Sequence, residues 1–181
     1  MEIEIREKNS DDNQWIIENL RENWGSEKIV TRNRVHHGAE LPGFIAINQG
    51  KPAGLLLYDI QGSECEVVLL ESYLEKVGVG TTLIEAIKER AKALSCRWLW
   101  LITTNDNVKA LRFYQLRGFR LTALYPDALK ESRKLKPELP LMGIDGIPLR
   151  DEIELSLDLE KLPLGDLLMN KIFSAWRNKA L

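Results

Sequence analysis

The spacing of apolar positions along the chain predicts a mixture of strands and helices. Residues 2–7, EIEIRE, alternate polar and apolar side chains, which is typical of a short strand. Residues 12–24 predict a helix because four large apolar side chains fall near one face, namely Trp15, Ile16, Leu20 and Trp24. Residues 44–60 contain two β-rich runs that flank Gly50-Lys51, and they predict a β-hairpin.

The centre of the chain predicts a strand, a helix and a second strand in that order. Residues 65–70, CEVVLL, form the first strand, and residues 81–94 form the helix, with apolar side chains at Leu83, Ile87, Ala91 and Leu94. Residues 97–104, RWLWLITT, are almost entirely apolar, as expected for a strand that is buried on both faces. Since such crossovers are right-handed, residues 67–70 and 98–102 should be parallel neighbours in one sheet.

The following segments extend the sheet. Residues 105–118 predict a capped short helix and residues 119–125 another strand. Residues 150–159 alternate cleanly and predict a strand whose shared face carries Ile153, Leu155, Leu157 and Leu159. The fold class is therefore α/β of the α+β type, with a mixed, mostly antiparallel sheet of about six to seven strands flanked by helices.

Three segments have weaker patterns. Residues 25–42 contain few apolar positions and are interpreted as a loop with a short helix. Residues 126–149 form a long connection, and connections of this length in a compact domain are often functional. Its basic run, Lys130 to Lys136, is interpreted as a solvated helix face, with a docking patch for an acidic acceptor as the alternative. Residues 164–181 predict an added amphipathic helix with apolar positions at Leu164, Leu167, Leu168, Ile172 and Trp176. This apolar face is expected to pack against a second copy in a homodimer, with the chain's own sheet as the alternative.

Composition restricts the class of protein. A chain of 181 residues with 44% hydrophobic and 29% charged residues fits one domain, expected over residues 1–160, with residues 161–181 as a C-terminal extension. The net charge of −2 argues against nucleic acid or an anionic membrane as the main partner. No long apolar run or signal peptide pattern appears, so a cytoplasmic location is expected. Cys65 and Cys96 lack metal-ligand spacing and are expected to be reduced core thiols, and no metal is expected.

Two glycines, Gly78 and Gly80, lie one residue apart immediately before the predicted central helix. Residues 75–83, EKVGVGTTL, lack the lysine of a P-loop and the third glycine of a dinucleotide-binding fingerprint. Alone, the pair is most simply a tight turn between strand and helix. The first N–H groups of the following helix would nevertheless stabilise an anion such as a pyrophosphate.

A second block of residues gives this loop a more specific interpretation. The block follows the spacing NxxAxxxYxxxGF through Asn107, Ala110, Tyr114, Gly118 and Phe119. Residues 75–80, EKVGVG, are similar to a loop of the form [QR]xxGx[GA]. In this order, loop and block resemble the GNAT superfamily of acyl-CoA-dependent N-acetyltransferases, and the resemblance covers roughly residues 1–159. The chain departs from the family pattern at Glu75, at Val77 and in the length of residues 126–149.

The resemblance implies the GNAT fold, in which the central parallel strands splay apart and hold CoA. Pantetheine would pair with the backbone of Val68, Leu69 and Leu70. The pyrophosphate would lie on the N–H groups of residues Val77, Gly78, Val79, Gly80 and Thr81, beside Thr82. Without a basic side chain at Glu75 or Val77, this cradle would depend almost wholly on backbone N–H groups, and a side chain at Gly80 would occupy the phosphate position. Asn107 would cap its helix and contact CoA, and Ala110 would lie beside it.

The resemblance also implies acid–base roles. A lysine-like amine has a pKa of about 10.4, so a base would assist its attack on a thioester, directly or through water. The implied base lies on the strand of Glu66 and Glu64, and Glu66 is the candidate, although a glutamate on a half-exposed strand is more often plain surface. A backbone N–H near Leu70, freed by a bulge, would polarise the thioester carbonyl. Tyr114 matches the general acid that protonates the leaving thiolate.

The predicted function is transfer of an acetyl group from acetyl-CoA to a primary amine by direct attack in a ternary complex. No motif places a cysteine as a nucleophile. The acceptor stays open among small amines or amino acids, protein N-termini or lysines, and aminoglycoside-type compounds. The alternative function is a non-catalytic module of the same fold that binds or senses acyl-CoA. His36 and His37 are most simply solvated, and the alternative places one of them in the acceptor pocket.

Overall fold

The computed structural model of the protein describes residues 3–160. These residues fold around a central mixed β-sheet. The strands within these residues are Glu4–Glu7 (β1), Lys28–Thr31 (β2), Arg34–His37 (β3), Gly43–Asn48 (β4), Lys51–Gln61 (β5), Glu64–Ser72 (β6), Trp98–Thr104 (β7), Arg120–Tyr125 (β8) and Glu152–Asp158 (β9). The helices are Asn13–Trp24 (α1), Val79–Ala93 (α2), Val108–Gln115 (α3) and Ala128–Leu135 (α4). The predicted C-terminal helix and its role in a dimer lie outside the described residues and stay predictions.

Seven of the strands form one sheet in the order β1-β4-β5-β6-β7-β9-β8. All neighbours in this sheet are antiparallel except β6 and β7, which are parallel. The structure therefore confirms the predicted fold class and the predicted parallel pair at its centre.

Helices cover both faces of the sheet. On one face, α2 buries the side chains of Leu83, Ile84, Ile87 and Ala91 against the sheet. Leu94 lies beyond the end of α2 and is 50% exposed, so it does not continue this face as predicted. On the other face, α1 packs Ile16 and Leu20 against Leu55 and Leu57 of β5. Leu56 of β5 belongs to the α2 core because successive strand residues point to opposite faces.

Residues 25–42 differ in part from the sequence prediction, because they contain the antiparallel hairpin of β2 and β3 where a loop was expected. The short helix that was also expected is present as a 3₁₀ turn at Gly38–Glu40. The turn residues Arg32 and Asn33 have φ angles of 47° and 60°, as a tight two-residue turn requires, although neither residue is glycine. Thr31 and His36 are buried, while Val35 is 40% exposed. The hairpin buries polar side chains and exposes an apolar one, so its hydrophobic pattern does not resemble a strand.

Residues 126–149 contain α4, and this helix is only partly the solvated basic surface that was predicted. Lys130 and Lys134 are exposed. Lys136, in contrast, is buried, and its ammonium group donates to the carbonyl oxygen of Lys28 on β2 at 2.8 Å. Arg133 donates to the carbonyl oxygens of three residues of the same connection, Leu139, Pro140 and Leu149. Basic side chains of this segment therefore hold the connection together and attach α4 to β2.

Candidate active site

An opening between β6 and β7 lies at the centre of the sheet. Their parallel pairing covers Glu64 to Val67 of β6 and ends at the pair Val67–Leu101. Beyond this pair, β6 continues beside β5 to Ser72, and β7 continues beside β9 to Thr104. The two strands therefore diverge, and within residues 3–160 the backbone of β6 after Val67 has no strand partner on its β7 side.

A β-bulge lies in β6 where this opening begins. Leu57 pairs with Leu69 and Tyr58 pairs with Val67, so the register skips Val68. A bulge leaves the extra residue outside the ladder and turns the strand locally. The backbone of Val68, Leu69 and Leu70 thus borders the opening, as the sequence predicted.

The glycine loop connects this strand to α2. Glu75, Val77 and Gly78 are exposed, and Gly78 has a φ angle of 90°, a conformation that glycine adopts without strain. The helix begins at Val79, so the N–H groups of Val79, Gly80 and Thr81 have no intrahelical acceptor. Both the backbone N–H and the hydroxyl of Thr82 donate to the carbonyl oxygen of Gly78, at 3.0 and 3.1 Å. The loop therefore presents the positive end of a helix dipole.

A side chain at Gly80 would meet α3, which the sequence did not predict. A Cβ atom at this position would lie 3.1 Å from Cζ and 3.2 Å from Cε2 of Phe113 on α3. The missing side chain therefore allows α2 and α3 to pack closely, and a substitution here would press on α3. Gly78, whose Cβ would have no neighbour within 4 Å, is the glycine with an open side.

Helix α3 carries the residues of the second block. The side-chain oxygen of Asn107 accepts from the N–H of Ala110 at 3.0 Å, so Asn107 caps the helix as predicted. Tyr114 is buried, and its ring packs at steep angles on Phe113 and Phe119, with centroid distances of 5.1 and 5.5 Å. Burial raises the pKa of the Tyr114 phenol above its usual value, so the phenol stays protonated at neutral pH.

Glu66 is buried with 2% exposure, so the interpretation of a half-exposed glutamate is wrong. Its Oε1 atom accepts from the hydroxyl of Thr31 at 2.6 Å. Its Oε2 atom has no hydrogen-bond partner, although Nη1 of Arg34 lies 3.5 Å away and Nε2 of His36 lies 3.7 Å away. Burial raises the pKa of the Glu66 carboxyl, and the hydrogen bond from Thr31 opposes this effect.

A cavity of about 310 Å³ opens beside Glu66. Six of the seven residues that line it are polar or charged and the seventh is a tryptophan: Arg32, Arg34, Asp59, Gln61, Glu64, Glu66 and Trp100. Arg34 pairs with Asp59 at 2.8 Å. Arg32 pairs with Glu154 at 3.3 Å, and its guanidinium carbon lies 4.8 Å from the ring centroid of Tyr125 and 5.8 Å from that of Trp100. Both arginines thus have carboxylate partners within the chain, while Oε2 of Glu66 lacks a hydrogen bond.

Residues 5–119 match the model of the acetyltransferase (GNAT) family, which is more than half of the chain. The chain belongs to the GNAT family. The GNAT fold and an acyl-CoA-dependent N-acyltransferase, both predicted from the sequence, are thus confirmed at the level of the family.

Relatives and solved structures agree with this assignment. The Bacillus subtilis (strain 168) protein YdhI, described as uncharacterized, is 42% identical over 131 residues, which are 72% of this GNAT chain and 82% of YdhI. An IAA acetyltransferase from Bacillus cereus ATCC 14579 has a TM-score of 0.69 at 20% identity, over 87% of this chain and 99% of its own. A GNAT family acetyltransferase from Elizabethkingia anophelis with acetyl-CoA bound has a TM-score of 0.64 at 17% identity, over 86% and 97%. Both of these solved structures have the same fold as this chain.

The GNAT chain contains a cation near the glycine loop that sequence reasoning missed. The guanidinium of Arg117 stacks on the ring of Phe113, 3.5 Å from its centroid, and donates to the hydroxyl of Thr81 on the first turn of α2. The start of this helix therefore has a positive side chain beside it, which the prediction of a cradle that depends almost wholly on backbone N–H groups did not include. Because 36 residues separate Arg117 from Thr81, no local pattern connects them.

The hairpin supplies the other residues that the sequence did not predict for the site. Thr31, Arg32 and Arg34 contact the cavity or Glu66, and His36 lies behind them, buried. His37 is exposed. The solvated position expected for both histidines is therefore wrong for His36, which is buried 3.7 Å from Glu66. Neither histidine is among the residues that line the cavity, so a histidine in the acceptor pocket stays a prediction. Trp100, interpreted as a core residue, is buried and also lines the cavity.

The structure also bears on the cysteines, on metal sites and on membrane-spanning helices in this GNAT chain. Cys65 and Cys96 are free, buried thiols, and burial raises the pKa of Cys65 to about 12. Among residues 3–160, no cluster of three or more His, Cys, Asp or Glu side chains is arranged to hold a metal ion. In the same part of the chain, no helix is long and apolar enough to span a membrane.

Proposed function

We propose that the protein transfers an acetyl group from acetyl-CoA to a primary amine, by direct attack of the amine within a ternary complex. The observation that supports this proposal is the arrangement along β6. Glu66 lines the polar cavity, and the Val68 bulge two residues later borders the opening between β6 and β7. One short strand thus brings a candidate base for the acceptor next to a candidate site for the thioester.

The donor would occupy the opening and the start of α2. The backbone of residues 68–70 would pair with pantetheine, and the loop from Glu75 to Thr82 would hold the pyrophosphate with its N–H groups. Arg117 adds a positive charge near Thr81, which favours a phosphate at the same place. The acetyl-CoA bound to the Elizabethkingia anophelis protein supports the choice of donor. Asn107 and Ala110 would border this ligand at the start of α3.

Glu66 would act as the general base. An amine that arrives as an ammonium must lose a proton before it attacks. Among residues 3–160, no donor forms a hydrogen bond to Oε2 of Glu66. Burial raises the pKa of the carboxyl, which increases its affinity for the proton of the amine. The polar lining of the cavity would hold the acceptor during this transfer.

Tyr114 would donate a proton to the leaving thiolate, and the N–H of Leu70 would polarise the thioester carbonyl. The raised pKa of the phenol keeps the proton on Tyr114 at neutral pH, as a proton donor requires. Direct attack agrees with the state of the cysteines, because burial keeps the thiol of Cys65 protonated and unreactive.

Release of CoA thiol from acetyl-CoA in the presence of an amine library tests this function. We expect thiol release with at least one class of primary amine. The Glu66→Gln variant should lose at least about 100-fold in kcat, a loss that is typical of removing a general base. Glu89→Gln, on the exposed side of α2, is the matched control and should retain wild-type turnover.

The same experiment distinguishes the enzyme from a sensing module. Binding of acetyl-CoA by calorimetry without thiol release in any amine mixture would favour the non-catalytic alternative. Turnover that survives Glu66→Gln unchanged would contradict the assignment of the base and leave the transferase function in place.

A further inference from the structure

Three buried polar side chains form a hydrogen-bonded chain behind the cavity. Nε2 of His36 lies 3.0 Å from Oγ1 of Thr31, and this hydroxyl donates to Oε1 of Glu66 at 2.6 Å. The exposed fractions of His36, Thr31 and Glu66 are 6%, 5% and 2%. Three polar side chains buried together at this depth require partners, and each finds one in the chain.

The direction of these hydrogen bonds follows from the number of protons available. A hydroxyl has one hydrogen, and Thr31 donates it to Glu66, so the same oxygen can only accept from His36. His36 must therefore carry a proton on Nε2. The chain runs from Nε2–H of His36 to Thr31 and from Thr31 to Oε1 of Glu66, and Oε2 is left without a hydrogen bond.

We propose that His36 is a positioning residue for the reaction, which holds Glu66 through the Thr31 hydroxyl so that Oε2 is available to the acceptor amine. His36 performs this role as a neutral imidazole with its proton on Nε2. This inference rests on the proposed function, because it takes Glu66 to be the base.

Burial and the positive charge of Arg34 favour the neutral imidazole, while the carboxylates of Asp59 and Glu66 oppose it. His36 is affected by Arg34 on its own strand and by Asp59 on β5, and Glu66 is affected by Arg34, Asp59 and Arg32. On the α4 side, the ammonium of Lys136 is bound to the carbonyl oxygen of Lys28. Burial lowers the pKa of His36, Arg34 lowers it further, and Asp59 opposes both.

Protonation of His36 would weaken the base. It would place a full positive charge 3.7 Å from Oε2 of Glu66, which stabilises the carboxylate and reduces its tendency to take a proton. Activity should therefore fall as the pH falls through the ionisation of the coupled pair, whose apparent pKa values belong to both residues.

The pH profile of kcat/KM tests the role of Thr31. Thr31→Val keeps the shape of the side chain and removes the hydroxyl, so the pKa of Glu66 should rise and the acidic limb should move to higher pH. We expect kcat/KM at a pH below this limb to fall about tenfold, the change that a shift of one pH unit produces. Thr31→Ser restores the hydroxyl and should restore the profile.

Variants at the two histidines complete this experiment. His36→Leu should shift the acidic limb as Thr31→Val does, while His36→Gln keeps a donor and should retain most of the activity. His37→Gln is the matched control, because His37 is exposed on the opposite side of the same strand. Equal losses in Thr31→Val and Thr31→Ser without a shift of the limb would overturn the proposal, since they would indicate a purely structural role.

A second measurement needs no acceptor. The chain has two histidines, so ring nitrogen NMR signals are assigned with the His37→Gln variant. We expect the Nε2–H tautomer for His36 and a lower midpoint of its titration in Glu66→Gln, which removes the neighbouring negative charge. An Nδ1–H tautomer, or a midpoint that does not move, would overturn the inference. Failure of the proposed function is distinct, because it appears as absence of thiol release with every amine.

Discussion

Buried polar residues distinguish the candidate site at the scale of single residues. Thr31, His36, Glu66 and Glu152 are all nearly inaccessible, although such side chains are usually exposed. Each of the four forms a hydrogen bond with another residue of the chain. Of the side-chain oxygens of these four residues, only Oε2 of Glu66 lacks a hydrogen bond to the part of the chain that the structure describes, and Glu66 lines the cavity. Composition and periodicity do not reveal this arrangement, because both treat a polar residue as surface.

Tyr114 provides the first prediction at this scale. Tyr114→Phe removes one hydroxyl and keeps the ring contacts with Phe113 and Phe119, so folding and acetyl-CoA affinity should stay near wild type. If the phenol protonates the thiolate, kcat should fall at least about 100-fold. Steady-state kinetics and calorimetry measure the two effects. Tyr58→Phe, at another buried tyrosine, should leave kcat unchanged, and wild-type kcat in Tyr114→Phe would rule out the general acid.

The β2–β3 hairpin shows what is decided at the scale of elements. On its inner face, Ile29 is accompanied by three polar residues, Thr31, Arg34 and His36, according to the pairing register. Its outer face carries Val35, which is 40% exposed. A strand pattern depends on an apolar inner face. The hairpin has polar residues on its inner face because Thr31 and His36 on that face lie beside the buried carboxyl of Glu66 on β6.

The contact between α2 and α3 carries the second prediction. Gly80→Val should reduce the free energy of unfolding by about 2 kcal/mol, the usual cost of forcing extra methyl groups into a packed contact. Urea denaturation measures this change. In a Phe113→Ala background, the same substitution should cost less, because the ring that meets the new side chain is gone. Equal costs in both backgrounds would show that the α3 contact is not the cause.

Glu152 connects distant parts of the whole molecule. It lies at the start of β9 and is 1% exposed. Its Oε2 atom accepts from the N–H of Arg32 in the hairpin turn at 3.1 Å, and its Oε1 atom accepts from the hydroxyl of Ser132 on α4 at 3.2 Å. One carboxyl thus joins the sheet, the hairpin and the long connection, and burial raises its pKa.

The raised pKa of Glu152 predicts how stability depends on pH. A carboxyl whose pKa is higher in the folded state binds its proton more tightly there, so its ionisation at neutral pH destabilises the fold. Glu152→Gln should raise the free energy of unfolding at pH 7 by about 1 kcal/mol, a typical single-residue effect. The difference should disappear as the pH falls below the unfolded-state pKa, near 4.3. Denaturation at several pH values measures it, with Glu89→Gln as the exposed control, and a pH-independent difference would contradict this account.

The sequence by itself determined the central architecture of this protein. The order of strand, helix and strand predicted the parallel pair of β6 and β7, because such crossovers return the second strand parallel to the first. The apolar run of β7 predicted a strand that is buried on both faces. The loop at residues 75–80 and the block from Asn107 to Phe119 indicated the family, because both belong to local backbone turns and helix caps. These features depend on residues close together in the chain, and local patterns record them.

Only the tertiary structure decided which polar residues meet at the site. Glu66 is separated from Thr31 by 35 residues, and Arg117 is separated from Thr81 by 36. The contact of Gly80 with Phe113, the burial of Lys136 and the bond from Arg32 to Glu152 likewise join distant segments. Such contacts leave no periodic signal, because each polar side chain is stabilised by a partner from another element instead of by its neighbours in the sequence.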